Sequence, residues 1–170
     1  MTAMKLFLPH RRAARAPSEE MTQKGDLGAN RVFYVRDQGL VTAWYLARRC
    51  EEECYRAQRY GQAFTLLVAE PAAGSNAATV QGKVKDWLRT AVRKADIAGY
   101  LGEGRYAVLL PQTELTVARG IAARLSAHIA GVSVGLSTHP EDGAEFDSLA
   151  AAAMRRYDEP AHLMQDELAA

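Results

Sequence analysis

Cysteine is scarce in this sequence, with only Cys50 and Cys54 among 170 residues. A spacing of four is neither a redox pair nor half of a zinc ribbon, so a disulfide-framed scaffold is excluded. On a helix the two thiols face the same way, as buried reduced cysteines do. Histidine is sparse too: His10, His128, His139 and His162 stand apart with no i, i+4 pair, so no metal site is expected of them. An excess of either charge is also lacking. Lys plus Arg number 21 against 20 Asp plus Glu, leaving a net charge of +1. No global field draws the chain onto nucleic acid or an acidic membrane, and any anion site must be local. No apolar window is long enough to span a bilayer. The opening MTAMKLFLPHRRAARAPSEE puts its basic residues after a short apolar run ended by Pro9. A secretory signal has the reverse order. The expectation is a cytoplasmic protein without a cofactor, a nucleic-acid partner or membrane insertion.

What is present is ordinary globular material: 48% hydrophobic and 24% charged residues. A chain of this length makes one domain and buries roughly two thirds of its unfolded surface. Residues 1–30 lack a sustained period and are expected to form a flexible arm, with Leu6, Phe7 and Leu8 beside Arg11, Arg12 and Arg15. A domain is expected over residues 31–160 and a tail over 161–170. Trp44, Ala47, Cys50, Cys54 and Ala57 recur at helical spacing until Gly61 stops the run. Phe64–Ala69 has strand length, and Val80, Val84, Trp87, Leu88 and Val92 mark a second helix. Strands are predicted near Ile97–Leu101 and Tyr106–Leu110, around a hairpin at Gly102-Glu103-Gly104-Arg105. Leu115, Ala118, Ile121, Ala122, Leu125 and Ile129 define a third helix, Val132–Leu136 a fourth strand and Phe146–Tyr157 a last helix. After the opening helix the order is βαββαβ, the split unit of ferredoxin-like folds. The fold expected is an α+β, ferredoxin-like or palm sandwich with an added N-terminal and a C-terminal helix, the helices lying on one face of an antiparallel sheet.

The stretch RKADIAGYLGEGRYAVLLPQT resembles the GGDEF (diguanylate cyclase) family, whose R-x-x-D segment precedes the hairpin G-G-D-E-F and an apolar strand. FTLLVAE, VSVGLS and LAAAAMRRY are similar to the family's first strand, its S-I-G strand and its last helix. Asp37 and Leu40 resemble the start of its D-x-L-T-G-L opening, so the likeness covers roughly residues 37–158. The family joins two GTP molecules with two metal ions held by carboxylates, which neutralise phosphate and activate the attacking hydroxyl. Laid on that pattern, Gly102 keeps the first glycine, Glu103 replaces the second, Gly104 the metal-binding acid and Arg105 the following Glu, while Tyr106 keeps the aromatic. Glu70 stands in for the first-strand Asp, and one carboxylate does not make a two-metal site. PAAGSNAATV replaces the guanine-binding segment, and Ala151, Arg155 and Asp158 replace the last helix's Asp, Tyr and Lys. The resemblance therefore implies a degenerate member that is not an enzyme.

The family's product-binding motif persists in Arg93-Lys94-Ala95-Asp96, five residues before Gly102. Arg offers a donor fork to guanine O6 and N7 or to phosphate, and Asp accepts from guanine amines. Arg124 matches the family's supporting arginine, with Arg89 and Lys85 as auxiliary cations. The resemblance implies a cyclic di-GMP receptor that signals through a protein partner or homodimer, with Trp44 and Tyr45 as dimer contacts. Two rivals stay open. One is a ligand-independent interaction module, and the other a residual enzyme or mononucleotide binder using Glu70 and Glu103.

Overall fold

The computed structural model describes residues 33–35 and 39–157. Asp37, Asp158, the arm and the tail lie outside them. Strand β1 (Val41–Thr42) leads directly into helix α1 (Ala43–Tyr60). Then follow β2 (Phe64–Pro71), α2 (Ala77–Ala91), β3 (Ile97–Gly102), β4 (Arg105–Leu110), α3 (Leu115–His128), β5 (Val132–His139) and α4 (Phe146–Arg155). The sheet order is β1-β3-β4-β2-β5. Strand β2 pairs antiparallel with both β4 and β5, and β3 antiparallel with β4. That is the split βαβ arrangement expected, with one strand the sequence pattern did not announce. Two residues are too few for a period, and β1 exists only because it pairs in parallel with Gly99 and Tyr100 on the sheet edge.

The helices do not share one face, as the sequence suggested; two lie on each. Helices α2 and α3 pack with Leu67, Ala69, Val108 and Leu110 on one side. Helices α1 and α4 pack with Phe64, Leu66, Val68, Ala107 and Leu109 on the other. Alternate residues of β2 and β4 thus feed two cores. This explains why Phe64–Ala69 is buried without a polar break.

Local chemistry sets the helix ends. Thr42 Oγ1 accepts from Tyr45 N at 3.3 Å, Asn76 Oδ1 accepts from Thr79 N at 3.1 Å, and Gly61 closes α1 with φ 62°. The buried stripe of α1 is Leu46, Cys50, Glu53 and Ala57, not the one containing Trp44, which is 59% exposed. Glu53 is tolerated inside because Arg56 bonds its carboxylate. Both cysteines are free, and burial pushes the Cys50 thiol pKa up.

The hairpin between β3 and β4 turns through Glu103 and Gly104, with φ of 52° and 81°. Two positive φ values in succession belong to the type I′ turn, and a side chain at the first costs about 1 kcal/mol. Its ion pair with Arg105 rests on a 74% exposed carboxylate and returns little. Glu103→Gly is therefore expected to raise the urea midpoint, by about 0.5 kcal/mol of stability.

Candidate functional site

Helix α2 ends at Ala91, and Val92 is already extended with ψ 148°. Arg93 therefore lies beyond the helix that carries Lys85 and Arg89. It opens a tight turn closed from both ends: Asp96 N donates to Arg93 O at 3.0 Å, and Arg93 N donates to Asp96 Oδ2 at 2.8 Å. The second residue of the motif thus builds the turn that presents the first. Asp96 Oδ1 makes no bond among the described residues, and the Arg93 side chain is exposed.

Beside this turn, where the start of β3 meets β1 and α1, lies an open cavity of about 570 Å³. Asp96, Lys94, Arg89 and Arg49 line it together with Tyr34 and Tyr45. Its volume suits a small-molecule ligand, and its cations suit an anionic one. Arg49 was not singled out in the sequence. Its Nε lies 3.4 Å from Glu52 on its own helix, and no spacing rule links it to residues forty positions on. Lys85 does not line the cavity. Arg124 is exposed on α3, on the sheet face shared with α2, and no hydrogen bond or ion pair joins it to Arg93 or Asp96 among the described residues.

A second cluster occupies the other end of the sheet. Arg105, at the start of β4, neither points to water nor stands open to an incoming anion. Its Nε lies 3.2 Å from Glu70 Oε2 at the end of β2, and its Nη2 bonds Glu103 Oε2 at 2.5 Å. The guanidinium also reaches Met154 Sδ of α4 at 4.0 Å. Glu70 and Glu103 thus meet across one cation, whereas the sequence suggested a single remaining carboxylate. Burial raises the Glu70 pKa, and Arg105 partly offsets the shift. Tyr157 closes the cluster. Its hydroxyl is buried without a hydrogen-bond partner among the described residues, and its pKa is pushed up by burial and by nearby Glu70. Of the remaining motif positions, Gly102 and Gly104 carry the turn with positive φ, and buried Tyr106 stacks in tilted contact with Tyr100 at 5.3 Å.

No family model and no curated protein matches the chain. Solved structures do. A sensory box/GGDEF family protein from Caulobacter crescentus is 21% identical over 69% of this chain and 90% of its own, with a TM-score of 0.58. The diguanylate cyclase SiaD from Pseudomonas aeruginosa, in complex with its activator SiaC, is 23% identical over 75% of this chain and 59% of its own, at a TM-score of 0.59. The coiled coil and GGDEF domain of DgcB from Caulobacter crescentus, in complex with c-di-GMP, is 13% identical over 79% and 81%, also at 0.59. The fold is that of GGDEF domains. The expectation that the chain is not an enzyme is corrected by the same comparison, since a structure sharing this fold is named a diguanylate cyclase. Glu70 and Glu103 meet at the sheet end with Arg105 engaging both, and no group of three or more potential metal ligands occurs among the described residues.

Proposed function

We propose that this chain binds cyclic di-GMP at the Arg93–Asp96 turn and acts as a receptor whose liganded state is read by a protein partner. The observation that carries this reading is the turn itself. Asp96 spends Oδ2 on Arg93 N, and the exposed Arg93 adjoins Lys94, which with Asp96, Arg49 and Arg89 lines the cavity. Guanine offers O6 and N7 to an arginine fork and its amines to the Asp96 oxygen that remains. The phosphates meet the flanking cations. Cyclic di-GMP in complex with a protein of this fold supports the ligand class.

The test is isothermal titration. Wild type is expected to bind, and Arg93→Ala to bind roughly ten- to a hundredfold more weakly through lost charge-assisted hydrogen bonds. Thermal stability should be almost unchanged, because the Arg93 side chain is exposed and packs into no core. Arg93→Lys restores little, since an ammonium keeps the charge and loses the fork. Arg124→Ala weakens binding less than Arg93→Ala. Cyclic di-AMP binds poorly, having an amine where guanine has O6. Absence of binding at high micromolar cyclic di-GMP sinks this reading.

The ligand-independent dimerisation module then takes its place. It has its own support in Trp44 and Tyr55, which are 59% and 75% exposed and lie eleven residues, or three turns, apart on one side of α1. Sedimentation of wild type and Trp44→Ala checks that alternative.

A further inference from the structure

A groove of about 900 Å³, well away from Arg93, runs between the C-terminal half of α1 and the segment joining β5 to α4. Its walls carry four carboxylates, Glu51, Glu141, Glu145 and Asp147, and two aromatic rings, Tyr55 and Phe146, with no Lys or Arg lining it among the described residues. Glu51 is paired with Arg48 at 3.1 Å, while Glu141, Glu145 and Asp147 form no ion pair among the described residues. A second feature is independent of this charge. His139 lines the same groove, is only 7% exposed and stacks on Phe64 with ring centroids 4.9 Å apart. Its Nδ1 is buried without a hydrogen-bond partner among the described residues. Buried polar nitrogens are ordinarily satisfied, so this wall lacks a polar neighbour that a docked chain would bring.

The chemistry required is an apolar segment carrying several cations, and the chain holds one. Lys5-Leu6-Phe7-Leu8-Pro9-His10-Arg11-Arg12-Ala13-Ala14-Arg15 combines three large apolar side chains with four cations, Lys5, Arg11, Arg12 and Arg15, against three carboxylates without an ion pair among the described residues and Glu51, which Arg48 shares. We infer that residues 5–15 dock into the acidic groove of their own chain. The connection is long enough. Phe33 packs on Trp44 and Tyr45, at centroid distances of 6.0 and 4.9 Å, so the chain enters beside the first turn of α1. The groove extends along that helix as far as Gly61, about 25 Å further at 1.5 Å per residue. The linker of 17 residues, Ala16–Val32, spans up to about 55 Å when extended.

The full chain, at low micromolar concentration and low salt, tests this in two ways. Carbodiimide treatment followed by peptide mass spectrometry is expected to join Lys5 to Glu141, Glu145 or Asp147 within one chain. Trypsin is expected to cut after Lys5, Arg11, Arg12 and Arg15 about three- to tenfold more slowly in wild type than in Glu51→Lys/Glu141→Lys. That gap should close at 0.5 M salt, where surface charge is screened. Both replaced side chains are exposed, and matching circular dichroism of the two proteins confirms that the fold is intact. Equal cleavage rates together with no intrachain Lys5 crosslink overturn the inference. Crosslinks that join two chains overturn it in favour of a second copy as the occupant. Failure of cyclic di-GMP to bind leaves these readouts untouched, because the groove and the Arg93 turn share no residue.

Discussion

Gly135→Ala is expected to lower the melting temperature by about 10 °C, corresponding to about 3 kcal/mol of stability. Gly135 lies in β5 opposite Val68 of β2, directly beneath α4. A Cβ there would overlap the Ala153 carbonyl oxygen, lie 2.8 Å from its carbonyl carbon and 3.3 Å from the Tyr157 ring. Backbone is the obstacle, so no rotamer change relieves it and α4 must lift off the sheet. Leu149, Ala150 and Ala153, which α4 contributes to the core, would lose packing with it. Gly120→Ala is the internal control. Gly120 lies in α3 with open space around the added methyl, so this change is expected to stabilise by about 0.5–1 kcal/mol through helix propensity alone. Thermal denaturation of the two variants checks both signs. A Gly135→Ala protein as stable as wild type would mean that α4 does not sit this close to β5.

Asp142→Ala is expected to cost about 2–3 kcal/mol near neutral pH, with the loss shrinking in acid. Asp142 takes a two-pronged bond from Arg156, with Nη1 to Oδ2 at 2.7 Å and Nη2 to Oδ1 at 2.6 Å, and it accepts Thr138 N at 2.8 Å. Arg156 also donates to Leu136 O at 3.0 Å. One carboxylate, in the loop after β5, therefore ties the end of α4 to the end of strand β5. The Arg156 bond holds the Asp142 pKa below its ordinary value, the Thr138 bonds assist, and burial opposes them. A depressed carboxylate pKa adds stability above the unfolded-state value, near 3.9, and that stability is lost as pH falls through the folded-state value. Urea midpoints of wild type and variant should therefore differ most above the unfolded-state pKa and draw together as pH falls through the lower folded-state value. A gap independent of pH would show that the carboxylate charge plays no part.

Patterns confined to one element were legible in the amino-acid order. Val80, Val84 and Leu88 on α2 and Ala118, Ala122 and Leu125 on α3 repeat at helical spacing and are buried as expected. The Gly102–Arg105 hairpin and the Gly61 stop follow from residues that tolerate positive φ. The Arg93–Asp96 pair was visible only as a motif, by resemblance; the turn it forms past the end of α2 was not, since Arg93 falls in step with Lys85 and Arg89 on a helical count. What escaped the sequence joins elements far apart along the chain. The stripe of α1 was legible only in part: Cys50 and Ala57 are buried as expected, but Leu46 rather than Trp44 joins them once α1 lies against the sheet and α4. The second covered face of the sheet has the same origin: a run such as Phe64–Ala69 is equally apolar whether it feeds one core or two. Arg49 reaches the cavity beside Asp96, and Arg105 gathers Glu70 and Glu103, through contacts that no periodicity encodes. Local spacing chooses helix, strand and turn through backbone sterics and short-range hydrogen bonds. Which charges meet is set by the packing of two helix layers on a shared sheet, a property of the folded whole.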